Sequence, residues 1–420
     1  MYQRTILPNG IRIVCETIPH VHSVSLGIWV GSGSRYEDPT YNGVSHFCEH
    51  MFFKGTAKRN SRQIAEEIDA VGGQLNAFTT KEYTCYYAKV LGQHFQFGVD
   101  LLSDMITNST FAAAEISKEK KVILEEIKSF EDSPDEIIHD LLAEAVLKGH
   151  PLGWTILGTP ETVGRIDRDI LTDYLKQHYT PDNITFALAG NVQFDQIVPV
   201  VADHFAGLQG RLEQTLPPIP EPVPDTIIKI KKTEQVQLCI GSRGFHRKSP
   251  NKYAALILDS ILGGSVSSRL FQELREERGL VYSTGSSHAS YKDTGIFTIY
   301  AGTSLKNFEQ VVGVIKAEVN KLKQEEVEAV ELSRAKEQLK GNLLLSLENT
   351  CNRMSRIAKT ELFNDQLLTP EESVAKIDAV TSAEVLQVAK ELFQDEKMIL
   401  AAIGPFPANS KVMGKPYYAY

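Results

Sequence analysis

The sequence predicts an α+β protein of two homologous domains, each a mixed or antiparallel sheet covered by helices. Three observations carry that expectation. The chain is 420 residues long, more than one hydrophobic core supports. Five prolines fall within the eight residues Pro217 to Pro224, almost at the midpoint. Their fixed φ angles and missing N–H donors exclude helix and central strand. The residues on either side repeat one pattern: strand, helix, strand pair, helix. The expected organisation is a first domain over residues 1–215, a stiff extended linker over 216–225 and a second domain over 226–420.

Taken in order, Ser23–Val30 alternates as a half-buried strand. A helix candidate follows, then two alternating strands within Gln74–Val90. Phe95, Val99, Leu102 and Ile106 then form an apolar stripe at helical spacing. Past the prolines, Val236–Phe245 reads as a strand, Lys252–Leu262 as a helix, and Tyr282–Ser290 with Gly295–Ala301 as a strand pair. Phe308, Val312, Ile315 and Val319 repeat the earlier stripe with the same spacing. Ser117–Phe130 and Glu325–Phe363 are rich in Glu, Lys, Leu and Ala, strong helix formers that give each repeat its long helices. Hairpin-like neighbours between helices point to sheets with helices packed on a face.

Composition narrows the function classes. Lys+Arg number 44 against 53 Asp+Glu, a net charge of −9, which disfavours a nucleic-acid or anionic-membrane partner. The 42% hydrophobic and 23% charged content fits a globular chain and not a disordered one. No apolar run approaches the roughly 20 residues of a membrane span, and the N-terminal residues lack the features of a signal peptide. Cys15, Cys48, Cys85, Cys239 and Cys351 are scattered without a paired spacing. They read as reduced thiols of a cytoplasmic protein, not as a disulfide frame or thiolate metal site.

The sharpest chemical signal is His46-Phe47-Cys48-Glu49-His50. Residues four apart on a helix project from one face, so His46 and His50 can direct ring nitrogens at a single zinc ion. Glu49 lies at the edge of that face, within reach of a metal-bound water. This is the inverted H-x-x-E-H order. A catalytic zinc site usually takes three protein ligands, and downstream Glu125 and Glu126 compete for the third place. Glu125 shares the charged stripe Lys118, Lys121, Lys128, which belongs in water. Glu126 shares a stripe with Glu119 and Val122 beside Ile123 and Ile127, so it is expected on the half-buried side, where a metal would compensate its charge. Glu119, seven residues earlier on that face, can support it.

Three motifs in order, HFCEHMFFKGT, GGQLNAFTTKEYTCYY and EKKVILEEIKSFEDSPDE, resemble the insulinase/pitrilysin family of zinc peptidases, which includes the mitochondrial processing peptidase and its bacterial relatives. The resemblance continues through His150–Val163 and Tyr179–Val192 to Ser267–Ser283. It implies a processing-peptidase-like metallohydrolase fold and a zinc metalloendopeptidase with one Zn2+ per chain. His46, His50 and Glu126 become zinc ligands, Glu49 the general base and Glu119 a supporting carboxylate. Asn76, Ala77 and Phe78 resemble the family's edge strand, which pairs with an extended peptide substrate. Arg275 and Tyr282 match an Arg/Tyr pair that contacts the substrate near the scissile bond. Apart from the resemblance, they would read as an ion-paired helix arginine and a core tyrosine.

Larger single-chain relatives close two such halves around a chamber, whereas this chain resembles one half. The resemblance therefore implies a partner, expected to be a second copy, so that a homodimer forms a closed chamber around short or unfolded peptides. The competing expectation is a non-catalytic peptide-binding or assembly subunit, whose zinc residues would be incomplete.

Overall fold

The computed structural model describes residues 1–410 and 414–420. Among them two compact units form, each built on one sheet.

The first unit comprises Met1–Lys128, Trp154–Leu216 and Leu345–Leu367. Its strands are β1 (Tyr2–Ile6), β2 (Arg12–Thr17), β3 (Ser23–Val30), β4 (Gln74–Thr79), β5 (Thr84–Leu91) and β6 (Ile184–Gly190). They lie in the order β1-β2-β6-β3-β5-β4, antiparallel throughout except for β2 beside β6. Alternation along each strand supplies two apolar faces. Val24, Leu26, Ile28 and Val30 of β3 face the main core, packed with residues of α1 (Val44–Met51), α2 (Ser61–Ala70), α3 (Phe95–Asn108) and α4 (Ala113–Glu131). Further along the chain, α6 (Pro160–Arg165), α7 (Arg168–His178) and α8 (Phe194–His204) complete that layer. Val14, Trp29, Cys85, Ala187 and Ala189 face the other way, where Met354, Ile357 and Ala358 of α12 (Thr350–Leu362) cover them. Gly27 permits this approach, since a Cβ there would lie 3.0 Å from the Met354 sulfur.

The second unit comprises Ser129–Gly153, Pro217–Leu344 and Leu368–Tyr420. Its strands are β7 (Thr226–Ile230), β8 (Val236–Gly244), β9 (Val281–Ser290), β10 (Gly295–Thr303) and β11 (Ile399–Gly404), in the order β7-β11-β8-β10-β9. Only β7 and β11 run parallel. One face packs on α9 (Lys252–Leu262), α10 (Phe308–Gln324), α11 (Ala329–Ser346), α13 (Pro370–Asp378) and α14 (Ser382–Leu392). The other is covered by Ile138, Leu142 and Val146 of α5 (Pro134–Val146), against Cys239, Ile399, Ala401 and Ile403.

The duplication is explicit in the topology. The order β2-β6-β3-β5-β4 recurs as β7-β11-β8-β10-β9, with the parallel pair in the same place. The contiguous halves 1–215 and 226–420 are nevertheless not the compact units. Helix α5 of the first half belongs to the second unit, and α12 of the second half belongs to the first. Both sheets have central strands that are apolar on two faces, so each needs a helix on its second face. The helix expected over Glu325–Phe363 accordingly breaks after Ser346 and restarts at Thr350, where the Asn349 side chain accepts from Cys351 N. The proline segment carries no helix or strand, yet it is not a free tether: Glu221 pairs with Arg243 at 3.0 Å and Ile219 packs against the α5 cluster. No helix among the described residues is long and apolar enough to cross a membrane.

Candidate metal centre

Helix α1 is short and has an unusual start. Its N-cap is Gly43 at φ +98°, without a side-chain cap of its own. A Cβ there would meet Leu157 O at 2.7 Å, so both the backbone angle and the space require glycine. The cap comes instead from Glu37, whose buried carboxylate accepts from Gly43 N at 2.7 Å, Ser45 N at 2.8 Å and Asn42 Nδ2 at 2.7 Å. Burial pushes the Glu37 carboxyl above its ordinary range, opposed by these bonds. Ser45 Oγ meets Tyr174 Oη at 2.8 Å, and Phe47, Cys48 and Met51 are buried in the core. With that face pinned, His46, Glu49 and His50 are held on the other.

His46 Nε2 lies 3.7 Å from Glu126 Oε1, and His50 Nε2 lies 3.6 Å from Glu126 Oε2. One ligand atom from each residue falls within 4.8 Å of the others. Zinc bonds of about 2.1 Å at tetrahedral angles place neighbouring ligand atoms about 3.4 Å apart, so the trio fits the ion with little movement. Burial, followed by the neighbouring His50, pushes the His46 imidazole down to about 3. Burial also lowers His50, opposed by Glu119 and reinforced by Lys54. Both shifts favour the neutral ring, the form that ligates metal. Glu126 keeps 43% of its side chain exposed, more than the half-buried position expected for it. The buried stripe of α4 is Ile116, Glu119, Ile123 and Ile127, and Glu126 stands at its edge, facing the imidazoles.

Glu49 Oε2 accepts from Thr79 Oγ1 at 2.5 Å. Burial raises its carboxyl, the Thr79 bond opposes this, and Glu126 raises it further. Glu119 is outside the ligand trio: it is 4% exposed and paired with Lys54 Nζ at 2.8 Å. The nearby strand β4 is the sheet edge, with β5 on one side and no strand on the other among the described residues. Leu75 and Ala77 pack into the α1-side core, whereas Phe78 packs on the opposite face with Trp29, Tyr83 and Tyr87. The side chains of Asn76 and Phe78 therefore lie on the row opposite to Thr79, and their backbones are what the edge offers a peptide.

In the second unit, Arg275 lies on a π-helical turn, Phe271–Glu277, with its guanidinium 5.2 Å from the Tyr282 ring centroid and 4.9 Å from that of Phe271. Tyr282 is 75% exposed, so it is not a core tyrosine. Helix α9, the repeat of α1, carries no histidine, and α11, the repeat of α4, has Ala335 and Asn342 where α4 has Glu119 and Glu126, counting from the helix starts. Sequence reasoning missed Glu37, Lys54 and Thr79. Only Thr79 left a trace, two residues from Ala77 and so on the same row of β4.

Fold and site together define a duplicated α+β protein in which, among the described residues, only the first unit has a His/His/Glu cluster able to hold a metal ion. The model of the insulinase family (peptidase family M16) matches residues 12–160, and the model described as the peptidase M16 inactive domain matches residues 165–339. An uncharacterized zinc protease, YmxG, of Bacillus subtilis is 44% identical over 405 residues, covering 96% of this chain and 98% of that protein. An uncharacterized zinc protease of Streptomyces coelicolor is 37% identical over 411 residues, covering 96% and 89%. The crystal structure of a protease from Helicobacter pylori aligns with a TM-score of 0.89 at 21% identity, covering 96% of this chain and 99% of that one. The chain belongs to the insulinase family, peptidase family M16.

Proposed function

We propose that the protein is a zinc metalloendopeptidase that cleaves short or unfolded peptides, with Glu49 as general base. The observation that carries this reading is the convergence of His46, His50 and Glu126 beside Glu49, next to an open sheet edge. His46, His50 and Glu126 would hold the ion. When bound, zinc lowers the pKa of water toward about 7 and polarises a carbonyl. Glu49 has no hydrogen bond to Oε1 among the described residues, so that oxygen takes the proton of the attacking water and returns it to the leaving amine. The free edge of β4 aligns the substrate backbone. A non-catalytic binding subunit would have no need of this complete set.

The exposed Arg275–Tyr282 stack suits substrate contact, anchoring the peptide or countering negative charge that develops at its carbonyl. In this reading, two copies form the closed chamber, and each supplies Arg275 and Tyr282 to the other's centre. Mixing Glu49→Gln chains with Tyr282→Phe chains should then restore part of the activity; absence of rescue counts against the arrangement.

The deciding experiment for the chemistry is cleavage of an unstructured peptide library by the parent and by Glu49→Gln. Activity should fall by about 10² to 10⁴ in the variant, with zinc content unchanged, and a chelator should abolish parent activity. A fully active Glu49→Gln protein sinks the mechanism.

A further inference from the structure

We propose that Thr79 is a positioning residue that references the general base to the strand on which the peptide lies. The inference rests on the peptidase reading above and adds a residue to it.

The Thr79–Glu49 bond joins α1 to β4 across 30 residues of sequence. The second unit links the same two elements one side-chain place earlier on the strand: Asp259 Oδ1 of α9 accepts from Ser286 Oγ of β9 at 2.5 Å, across 27 residues, and Ser286 pairs with Ile299 as Ala77 pairs with Tyr86. Asp259 is half-buried, and burial raises its carboxyl while the Ser286 bond opposes this, as Thr79 does for Glu49. Three residues before and one after Glu49 stand His46 and His50; at those offsets from Asp259 stand Leu256 and Ser260. At these two positions of α9 there is no metal-ligating side chain, but a carboxylate–hydroxyl bond to the edge strand is present. A carboxylate–hydroxyl bond between this helix and the edge strand thus forms in the second unit without histidines beside it on the helix. In the first unit its carboxylate is also the base.

Two consequences follow from the geometry. The hydroxyl occupies Glu49 Oε2, which fixes the rotation of the carboxylate and leaves Oε1 for proton transfer. Thr79 also closes the edge strand at its anchored end: its backbone pairs with Thr84, and Thr80 O accepts from Ser34 N at 3.2 Å. A peptide pairing with β4 takes its register from the same strand whose last hydroxyl holds the base. Displacements near 1 Å at a reacting centre cost on the order of 100-fold in rate, so this shared reference matters to turnover and to which bond is cut.

The test compares Thr79→Val, which removes the hydroxyl at nearly constant volume, with Thr79→Ser, which keeps it. Thr79→Val should lower kcat by about 10- to 100-fold with KM within about threefold, and spread cleavage of a defined peptide to neighbouring bonds. Zinc affinity, measured by chelator competition, should be unchanged. Thr79→Ser should stay within about threefold of the parent. In the zinc-free protein, amide hydrogen exchange across α1 and β4 should rise in Thr79→Val and not in Thr79→Ser. A Thr79→Val protein with parental kcat and cleavage pattern overturns the proposal, and so does a Thr79→Ser protein equally impaired, which would assign the effect to packing. Unchanged exchange in zinc-free Thr79→Val overturns the joint itself. A parent that cleaves no peptide while exchange responds as stated overturns the peptidase reading and with it the catalytic role of Thr79, leaving the joint as a structural one.

Discussion

Adjacent residues on α4 meet different fates. Glu125 is 72% exposed and bonded to Lys128 at 2.6 Å, a solvated pair worth little to the fold. Glu126 spans the two imidazoles at 3.6 and 3.7 Å. Glu126→Gln should weaken zinc binding by at least about 100-fold, and Glu125→Gln should change it by less than about twofold, both read by competition with a calibrated chelator. Equal losses would place the third ligand elsewhere. Glu119 shows the same dependence on partner: its buried carboxylate is balanced by Lys54, so it can influence His50 without joining the ligand trio.

At the scale of elements, a half-buried neutral histidine ties one end of the second unit's edge strand. His288 of β9 accepts from Phe245 N at 2.9 Å, and burial pushes it down to about 4. His178, at the end of α7, is bonded to Ser32 Oγ and is likewise lowered to about 4 by burial. For both, the folded value lies below the unfolded 6.5, so the unfolded chain binds more protons as pH falls. The stability they contribute is present above about 6.5 and is lost as pH drops toward about 4, at about 1.4 kcal/mol per unit for each ring. Denaturant unfolding of the zinc-free protein between pH 7 and pH 4.5 should show that slope, and His288→Gln should reduce it by about one proton. An unaltered slope in the variant would mean that His288 does not titrate in this window.

For the molecule as a whole, the exchange of α5 and α12 makes the two halves of the chain incomplete. A fragment of residues 1–216 lacks α12 and leaves Val14, Trp29, Cys85, Ala187 and Ala189 uncovered. Burying one large apolar side chain contributes roughly 1.5–3 kcal/mol, and an open apolar sheet face invites aggregation. The fragment should be poorly soluble and lack a cooperative thermal transition, and fusing residues 345–367 to it through a flexible linker should restore both properties. A soluble, cooperatively folding 1–216 fragment would show that α12 is dispensable.

Local structure was written in the sequence, and so was the grouping of His46, Glu49 and His50 on one face of α1. Alternation marked β3 over Ser23–Val30, helical spacing marked α9 over Lys252–Leu262, and the spacing of His46, Glu49 and His50 marked a helix that gathers them. These follow from short-range periodicity, which is written in neighbouring residues. That Glu126 and not Glu125 faces the imidazoles was also legible, because Glu125 shares a charged stripe, although the half-open setting of Glu126 was not. Only the tertiary structure decided what depends on residues distant in the chain: Glu37 as the cap of α1, Thr79 on Glu49, Lys54 on Glu119, and the exchange of α5 and α12. A carboxylate, a hydroxyl or an apolar helix face carries no address for its partner in the sequence. Those partners are chosen by which surfaces must be buried together, and that is settled when the two sheets close on both faces.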